Sequence, residues 1–190
     1  ALIVILFGII FFMNIFNLTN TFDAYTSDPV LYPVTQVMAG KILLVNLTSF
    51  YGLYPLFLLP IFWVTGLSVL KFSVVMSVLI CLSVLSLFFS MREIIKDQVL
   101  MYLGFITTIF YTLFASRIIP EQYLQYWPIR YVFPCLSILL VVYYFKQKSK
   151  LLYYLSFFVY AAGILWNFDV GIVVFISWIG VLIYQEISTV

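Results

Sequence analysis

Residues 72–90 read FSVVMSVLICLSVLSLFFS, an apolar stretch that carries no charged side chain. A helix needs about 20 apolar residues to cross the hydrocarbon core of a bilayer, within a range of about 17–25. The rest of the chain has the same character, since 65% of its 190 residues are hydrophobic and 8% are charged. Soluble domains carry roughly 25% charged residues. We therefore expect an all-α, polytopic transmembrane helix bundle that has the lipid bilayer as its partner.

Further apolar stretches flank this one, and short polar segments separate them. The stretch 51–70 contains Pro55 and Pro60, which suit a straight crossing helix poorly, and it is rich in interfacial aromatic residues. We expect it to form a juxtamembrane or re-entrant helix, with a seventh, proline-kinked crossing as the alternative. The expected bundle has about six crossings, at residues 1–16, 72–90, 99–115, 131–145, 151–166 and 170–187.

Basic residues in short loops set the orientation, because Lys and Arg favour the cytoplasmic side. Arg92 and Lys96 lie in one loop, and the run KQKSK at 146–150 lies in another, two crossings away. Charges at membrane depth are costly and are therefore candidates for function. With both basic loops in the cytoplasm, the charged residues on the opposite face are Asp23, Asp28, Lys41, Arg117, Glu121, Arg130 and Asp169.

The chain begins at Ala1 inside an apolar run and ends on a helix-like segment at Val190. We expect one transmembrane domain over residues 1–190, as a fragment of a longer chain, with an external loop at 17–70 that carries the juxtamembrane helices. A net charge of +2 gives no case for nucleic acid as a partner. The absence of histidine removes the usual general base near neutral pH and the commonest metal ligand.

The polar segment before residue 51 supplies the first candidate residues. Asp28 opens the stretch DPVLYPVTQVMAGK, whose apolar positions suit one face of a short helix that Gly40 would close. A partly desolvated carboxylate above an apolar bundle is suited to take a proton from an acceptor hydroxyl. Asp28 is therefore a candidate catalytic base, and capping of the helix that follows is the alternative. Asp23 is the second candidate base.

Arg130 lies at the entrance of the span 131–145. Its planar guanidinium can bind a phosphate with two hydrogen bonds, and the alternative is an interfacial arginine that reaches the lipid headgroups. Arg117 is the second candidate for phosphate, although it could pair with Glu121 four residues on. Asp169 lies in a short turn between two spans, either as a cap of the last helix or as a second acidic group facing the same site.

No cofactor is assigned from these residues. The sequence leaves open whether the protein binds a divalent metal, because Asp23, Asp28 and Glu121 could share an ion, although their spacing matches no metal motif. Cys81 and Cys135 both lie in apolar runs, so we expect buried, unpaired thiols rather than a disulfide or a metal pair.

Three short motifs resemble the N-terminal part of the polytopic GT-C glycosyltransferases, which include protein mannosyltransferases and bacterial aminoarabinose transferases. In that family an acidic loop after the first helix leads into juxtamembrane helices and then into short-looped spans. The resemblance covers residues 1–115. This chain departs from many relatives because it has no histidine beside the acidic residue, and relatives also have more spans. The motifs are Asp28-Pro29 to Pro33, the Gly40-Lys41 step and Tyr51-Gly52-Leu53-Tyr54-Pro55.

The resemblance implies a membrane glycosyltransferase that uses a polyprenyl-phosphate-linked sugar as donor and a loop aspartate, Asp28 or Asp23, as general base. Phosphate binding by Arg130 or Arg117 is inferred from charge and side rather than from a family motif. We expect a bacterial inner (plasma) membrane protein with its active face on the non-cytoplasmic side and an acceptor that the sequence does not specify. Supporting residues would be Lys41, Tyr51, Glu121 and Asp169.

The rival hypothesis is a non-enzymatic polytopic protein, either a flippase or transporter of lipid-linked sugars or an assembly subunit. An ion-coupled transporter would carry charges within its spans, whereas the charges of this chain gather at the ends of the spans. That distribution leaves a carrier of lipid-linked sugars as an alternative. In an assembly subunit, Asp28 and Arg130 would lie far apart and each would be dispensable.

Overall fold

The computed structural model describes residues 2–20, 28–49, 51–110 and 125–188 of the chain. Helices make up most of this part, and it contains no β-strand beyond an isolated bridge between Leu43 and Leu47. The all-α class predicted from the sequence is therefore confirmed. In chain order the helices are α1 (Leu2–Asn20), α2 (Asp28–Met38), α3 (Tyr54–Thr65), α4 (Val69–Ile94), α5 (Gln98–Phe110), a π-helix (Gln125–Arg130), α6 (Val132–Gln147), α7 (Lys150–Trp166) and α8 (Phe168–Ser188).

Helix α4 is the central element, and α1 and α6 pack along it. It begins after Ser68, whose hydroxyl accepts a hydrogen bond of 3.3 Å from the backbone N–H of Lys71. Small side chains allow neighbouring helices to approach closely, and most of the buried serine hydroxyls of α4 bond to the carbonyl four residues earlier in the same helix. These buried serines are Ser73, Ser77, Ser83, Ser86 and Ser90.

Two contacts define the two ends of the bundle. At the arginine end, which contains Arg130, the indole of Trp166 donates a hydrogen bond to the backbone carbonyl of Ile129, so the end of α7 meets the π-helix that leads into α6. At the lysine end, Lys146 forms an ion pair of 2.5 Å with Glu93, so the end of α6 meets the end of α4. Helices α4 and α6 therefore run in the same direction, and α7 runs back.

Helix α2 packs its apolar face at the arginine end. Val30 and Val34 are fully buried, whereas Tyr32 between them is exposed. The backbone N–H groups of Gly40 and Lys41 donate hydrogen bonds to carbonyls in the last turn of the helix, and Gly40 has a φ of +89°. This is the Schellman arrangement, in which glycine takes the left-handed conformation. Gly40 therefore closes the short amphipathic helix, as the sequence predicts.

Helix α3 has 12 residues, a length of roughly 18 Å at 1.5 Å per residue. Near its start, the Tyr54 hydroxyl donates a hydrogen bond of 2.7 Å to the backbone carbonyl of Val30 in α2. Near its end, the ring of Phe62 lies 6.3 Å from the ring of Phe72 in the first turn of α4. All four residues belong to one apolar cluster, so both ends of α3 lie at the arginine end.

Two further apolar clusters hold the remaining helices. Helices α1 and α5 pack on α4 around Phe88 and Phe105, whose rings meet edge to face with centroids 4.8 Å apart. Helices α6, α7 and α8 meet around Tyr160 and Trp178, whose ring centroids are 5.5 Å apart. Large aromatic side chains therefore fill the contacts on both sides of the bundle.

The positions of the helices follow the apolar stretches of the sequence. The stretch 72–90 lies within α4, and the stretch 170–187 lies within α8. These two are the described helices that are long and apolar enough to cross a membrane by length and composition. Helices α6 and α7 are shorter, at 16 and 17 residues. By length and composition, the described part of the chain supports two spans, and the six expected crossings are not confirmed.

Candidate functional site

Trp166 is the side chain around which the arginine end is assembled. It is buried at the end of α7, and its indole N–H donates a hydrogen bond of 3.0 Å to the carbonyl of Ile129. Three aromatic rings lie around the indole at centroid distances of 5.8 to 5.9 Å, those of Tyr54, Phe57 and Phe133. Together, the hydrogen bond and the ring contacts join α3, the π-helix, α6 and α7 around Trp166.

The segment before α3 lies directly on the end of α7. The backbone N–H of Leu53 donates a hydrogen bond of 2.7 Å to the carbonyl of Leu165, and Gly52 has a φ of +100°. A β-carbon at Gly52 would lie 2.6 Å from the carbonyl oxygen of Trp166, closer than unbonded atoms approach. Glycine is therefore required here both for its conformation and for its small size.

Arg130 ends the π-helix and is half buried. Its guanidinium carbon lies 5.7 Å from the centroid of the Tyr51 ring. A cation within about 6 Å of an aromatic face is attracted by the ring quadrupole. The structure thus brings together two of the predicted site residues, Tyr51 and Arg130, and the neighbouring Ile129 is held by Trp166. π-Helical turns occur frequently at functional sites.

Asp28 is the first residue of α2. Its backbone lies at the arginine end, because Val30 accepts the hydrogen bond from Tyr54 and shares an apolar cluster with Ile129 and Trp166. The carboxylate of Asp28 lies outside the described part of the chain, so its two predicted roles, base and helix cap, stay predictions. The predicted site residues that lie wholly outside that part are Asp23, Arg117 and Glu121.

Asn167, and not Asp169, caps helix α8. The side-chain oxygen of Asn167 accepts a hydrogen bond of 3.2 Å from the backbone N–H of Val170. Asp169 is exposed in the first turn and forms no ion pair with a described cation. The prediction of Asp169 as the cap is therefore wrong, because the residue just before the first turn is the one whose side chain reaches the N–H three positions on. The Asp169 charge still lies at a helix N-terminus, where a negative charge is favourable.

Asn167 and Trp166 are site residues that sequence reasoning missed. Asn167 is 3% exposed, and its amide nitrogen has no hydrogen-bond partner among the described residues. Its Cα lies 3.0 Å from the position that a β-carbon on Gly52 would occupy. The turn after α7 is thus covered by the segment before α3, a long-range contact that no local pattern in the sequence signals.

Lys41 stands apart from this group. Its side chain is exposed and forms no ion pair within the residues that the structure describes. The segment that follows it packs through Leu43 and Leu47 against the beginning of α3. The structure therefore groups Tyr51, Arg130 and the turn that carries Asp169, and leaves Lys41 on the outside.

The described residues offer no group of three or more cysteine or carboxylate side chains that could hold a metal ion. Cys135 is a buried free thiol and Cys81 is a partly buried one. What the arginine end offers chemically is a guanidinium fixed against an aromatic ring. Beside it lies a helix that begins with an aspartate.

The lysine end has a different character. Here Lys146 donates a hydrogen bond of 2.5 Å to the carboxylate of Glu93, so the charged side chains of α4 and α6 meet. The charged residues of this end are Arg92, Glu93, Lys96, Asp97, Lys146, Lys148, Lys150 and Glu186.

Comparisons of the chain with protein-family models, with curated proteins and with solved structures give no match. The function proposed below therefore rests on the residues of this chain and on their geometry.

Proposed function

We propose that this chain is an integral membrane protein in which α1, α4, α5, α6, α7 and α8 cross the bilayer while α2 and α3 lie at its non-cytoplasmic surface. The composition supports this placement, and so does the length of α4 and α8. Helix α3 is placed at the surface because both of its ends lie at the arginine end, whereas a crossing helix would join the two ends of the bundle. The lysine end contains five of the nine Lys and Arg residues and faces the cytoplasm.

The proposed activity is transfer of a sugar from a polyprenyl-phosphate-linked donor to an acceptor at the non-cytoplasmic face of a bacterial inner (plasma) membrane. The observation that carries it is the half-buried Arg130 over the ring of Tyr51, on the cluster that also seats the start of α2. A polyprenyl tail keeps the donor in the bilayer, so its phosphate reaches a cation held at the membrane surface. Arginine is suited to that phosphate because its planar fork donates two parallel hydrogen bonds.

The predicted residues other than Lys41 each have a place in this reaction. Arg130, with Arg117, binds the donor phosphate, and Tyr51 holds the Arg130 guanidinium. Asp28 or Asp23 takes the proton of the acceptor hydroxyl, whose oxygen then bonds to the anomeric carbon of the sugar. The bond between that carbon and the phosphate oxygen breaks, and polyprenyl phosphate leaves with the electron pair. Supporting positions are Glu121 and Asp169, whereas Lys41, which lies outside the group, has no role in this reaction.

Sugar transfer in membranes from a host that lacks the protein tests this proposal. Radiolabelled polyprenyl-phosphate sugars are supplied to the wild type, to Asp28→Asn, to Asp23→Asn and to Arg130→Ala. Asn caps a helix as well as Asp does, so Asp28→Asn removes the base and keeps a cap. Asp97→Asn is the matched control, since Asp97 accepts a hydrogen bond from the backbone N–H of Leu100 at the lysine end and Asn preserves that bond.

Loss of a general base lowers the rate by about 10²–10⁴-fold. We expect that loss in one of the two aspartate variants at normal expression, a strong loss in Arg130→Ala, and wild-type transfer in Asp97→Asn. Full transfer in both aspartate variants would remove the mechanism. Donor binding without transfer by the wild type would instead indicate a carrier of lipid-linked sugars or an assembly subunit.

A further inference from the structure

An apolar groove lies toward the lysine end, away from Arg130. Its volume is about 320 Å³, it lies between α4, α6 and α7, and it opens to the outside. Phe89 on its wall is 38% exposed. The side chains that line the groove are Phe89, Leu139, Leu140, Tyr143 and Leu152. A wall of this composition fits a hydrocarbon chain.

Cations lie at one rim of the groove. Arg92 and Lys146 each follow a groove-lining aromatic residue by three positions, and Lys150 precedes Leu152 by two. With a rise of 1.5 Å per residue, each charge lies roughly 3–5 Å further along its helix toward the lysine end. Toward the lysine end, the apolar wall is therefore followed by positively charged residues on three helices.

The carboxylates at this end do not cancel those charges. Glu93 pairs with Lys146, and Asp97 accepts a hydrogen bond from the first turn of α5. Within the described part of the chain, Arg92, Lys148 and Lys150 form no ion pair. The lysine end has five cations against three carboxylates, the third being Glu186 in the last turn of α8. The rim therefore favours an anionic group over a zwitterionic one.

We propose that this groove binds an anionic phospholipid of the cytoplasmic leaflet. One acyl chain lies along the groove wall, and the phosphate lies between Arg92 and Lys150. The guanidinium donates two parallel hydrogen bonds to phosphate oxygens, and the ammonium supplies a point charge. Basic clusters beside membrane helices attract anionic lipids of this leaflet. The proposal rests on the membrane placement given above and not on sugar transfer.

Lipid binding to the purified chain in detergent tests the proposal by native mass spectrometry. The probes are phosphatidylglycerol and phosphatidylcholine with identical acyl chains. The test variant is Arg92→Gln with Lys150→Gln, and its control is Lys41→Gln with Lys71→Gln, which removes the same charge at the other end. We expect phosphatidylglycerol to bind the wild type and the control about tenfold or more tightly than phosphatidylcholine does, and the test variant to lose that preference.

Two further arms examine the groove itself. Leu140→Trp fills the apolar wall and keeps every cation, so binding of phosphatidylglycerol should fall about tenfold. The soluble headgroup glycerophosphoglycerol, which has no acyl chain, should not bind. Equal binding of both phospholipids by the wild type would overturn the proposal, even if a variant fails to fold. Equal loss in the test variant and its control, or headgroup binding as tight as that of the intact lipid, would overturn it as well.

Discussion

The indole N–H of Trp166 donates a hydrogen bond to the carbonyl of Ile129, the residue that precedes Arg130. This contact joins the end of α7 to the π-helix and thereby sets where the Arg130 guanidinium lies. The Tyr51 ring beside that guanidinium is fixed in turn, because the segment around Gly52 lies on the backbone of Trp166. The geometry of the arginine end therefore depends on one tryptophan.

Trp166→Phe should lower the free energy of unfolding by more than Trp178→Phe does. Both indoles are buried and both changes remove the same atoms, but Trp178 Nε1 has no hydrogen-bond partner among the described residues. The difference isolates the bond to Ile129, whose carbonyl is left unsatisfied at a cost of about 1–3 kcal/mol. Unfolding of the purified protein by titration with denaturing detergent measures both values. Equal losses would show that the bond contributes nothing.

Gly52→Ala should destabilise the protein more than Gly40→Ala does. Both glycines have a positive φ, which costs an L-residue about 1–2 kcal/mol. At Gly52 the new β-carbon would meet backbone at 2.6 Å, whereas at Gly40 it would meet no atom of the described residues within 4 Å, its chain neighbours aside. Thermal unfolding in mild detergent should place Gly52→Ala well below Gly40→Ala. The reverse order would contradict the packing of this segment on α7.

Asn167→Ala should cost about 1 kcal/mol of stability, the usual effect of removing a helix cap. Asn167→Ser keeps a capping oxygen and should lie near the wild type. Asp169→Ala removes only a favourable charge at an exposed position, so its loss should be about 0.5 kcal/mol or less. The same unfolding titration compares the three. A larger loss at Asp169 than at Asn167 would restore the aspartate as the cap.

Tyr51→Leu should raise the donor KM by about two- to fivefold, because a cation–π contact that stays partly open to solvent is worth about 0.5–1 kcal/mol. Tyr51→Phe keeps the ring under Arg130 and should change the donor KM by less than about twofold. The transfer assay with graded donor concentration gives both values. If Tyr51→Phe raises the donor KM as much as Tyr51→Leu does, the hydroxyl and not the ring is the important group.

The helical class followed from composition, and the helix positions followed from the apolar stretches and the short polar segments between them. The closing of α2 at Gly40 was also readable, because the Schellman motif is local and needs glycine. The capping residue of α8 could not be predicted, since Asn167 and Asp169 are two residues apart and a helix boundary is uncertain by one or two residues. Choosing between them requires the backbone.

The pattern of apolar and polar residues in the sequence did not predict the contacts between helices. A helix that is apolar all round shows no face in its sequence, so nothing in α7 indicated that Trp166 would meet Ile129. The clash that excludes a side chain at Gly52 depends on the same long-range contact. Charge placement did indicate that Arg130 and Asp169 lie at one end of the bundle and Arg92 and Lys146 at the other, because charge is costly to bury among apolar helices.

The most direct test of the donor site is photocrosslinking with a polyprenyl-phosphate sugar. The photoreactive residue p-benzoylphenylalanine replaces Tyr131, which is 41% exposed next to Arg130, and in a control it replaces Tyr154, which is 69% exposed near the lysine end. We predict donor crosslinking at position 131 that excess unlabelled donor abolishes and Arg130→Ala weakens, and no such crosslinking at position 154. Crosslinking that is equal at the two positions, or unaffected by competitor, would contradict a donor site at the arginine end.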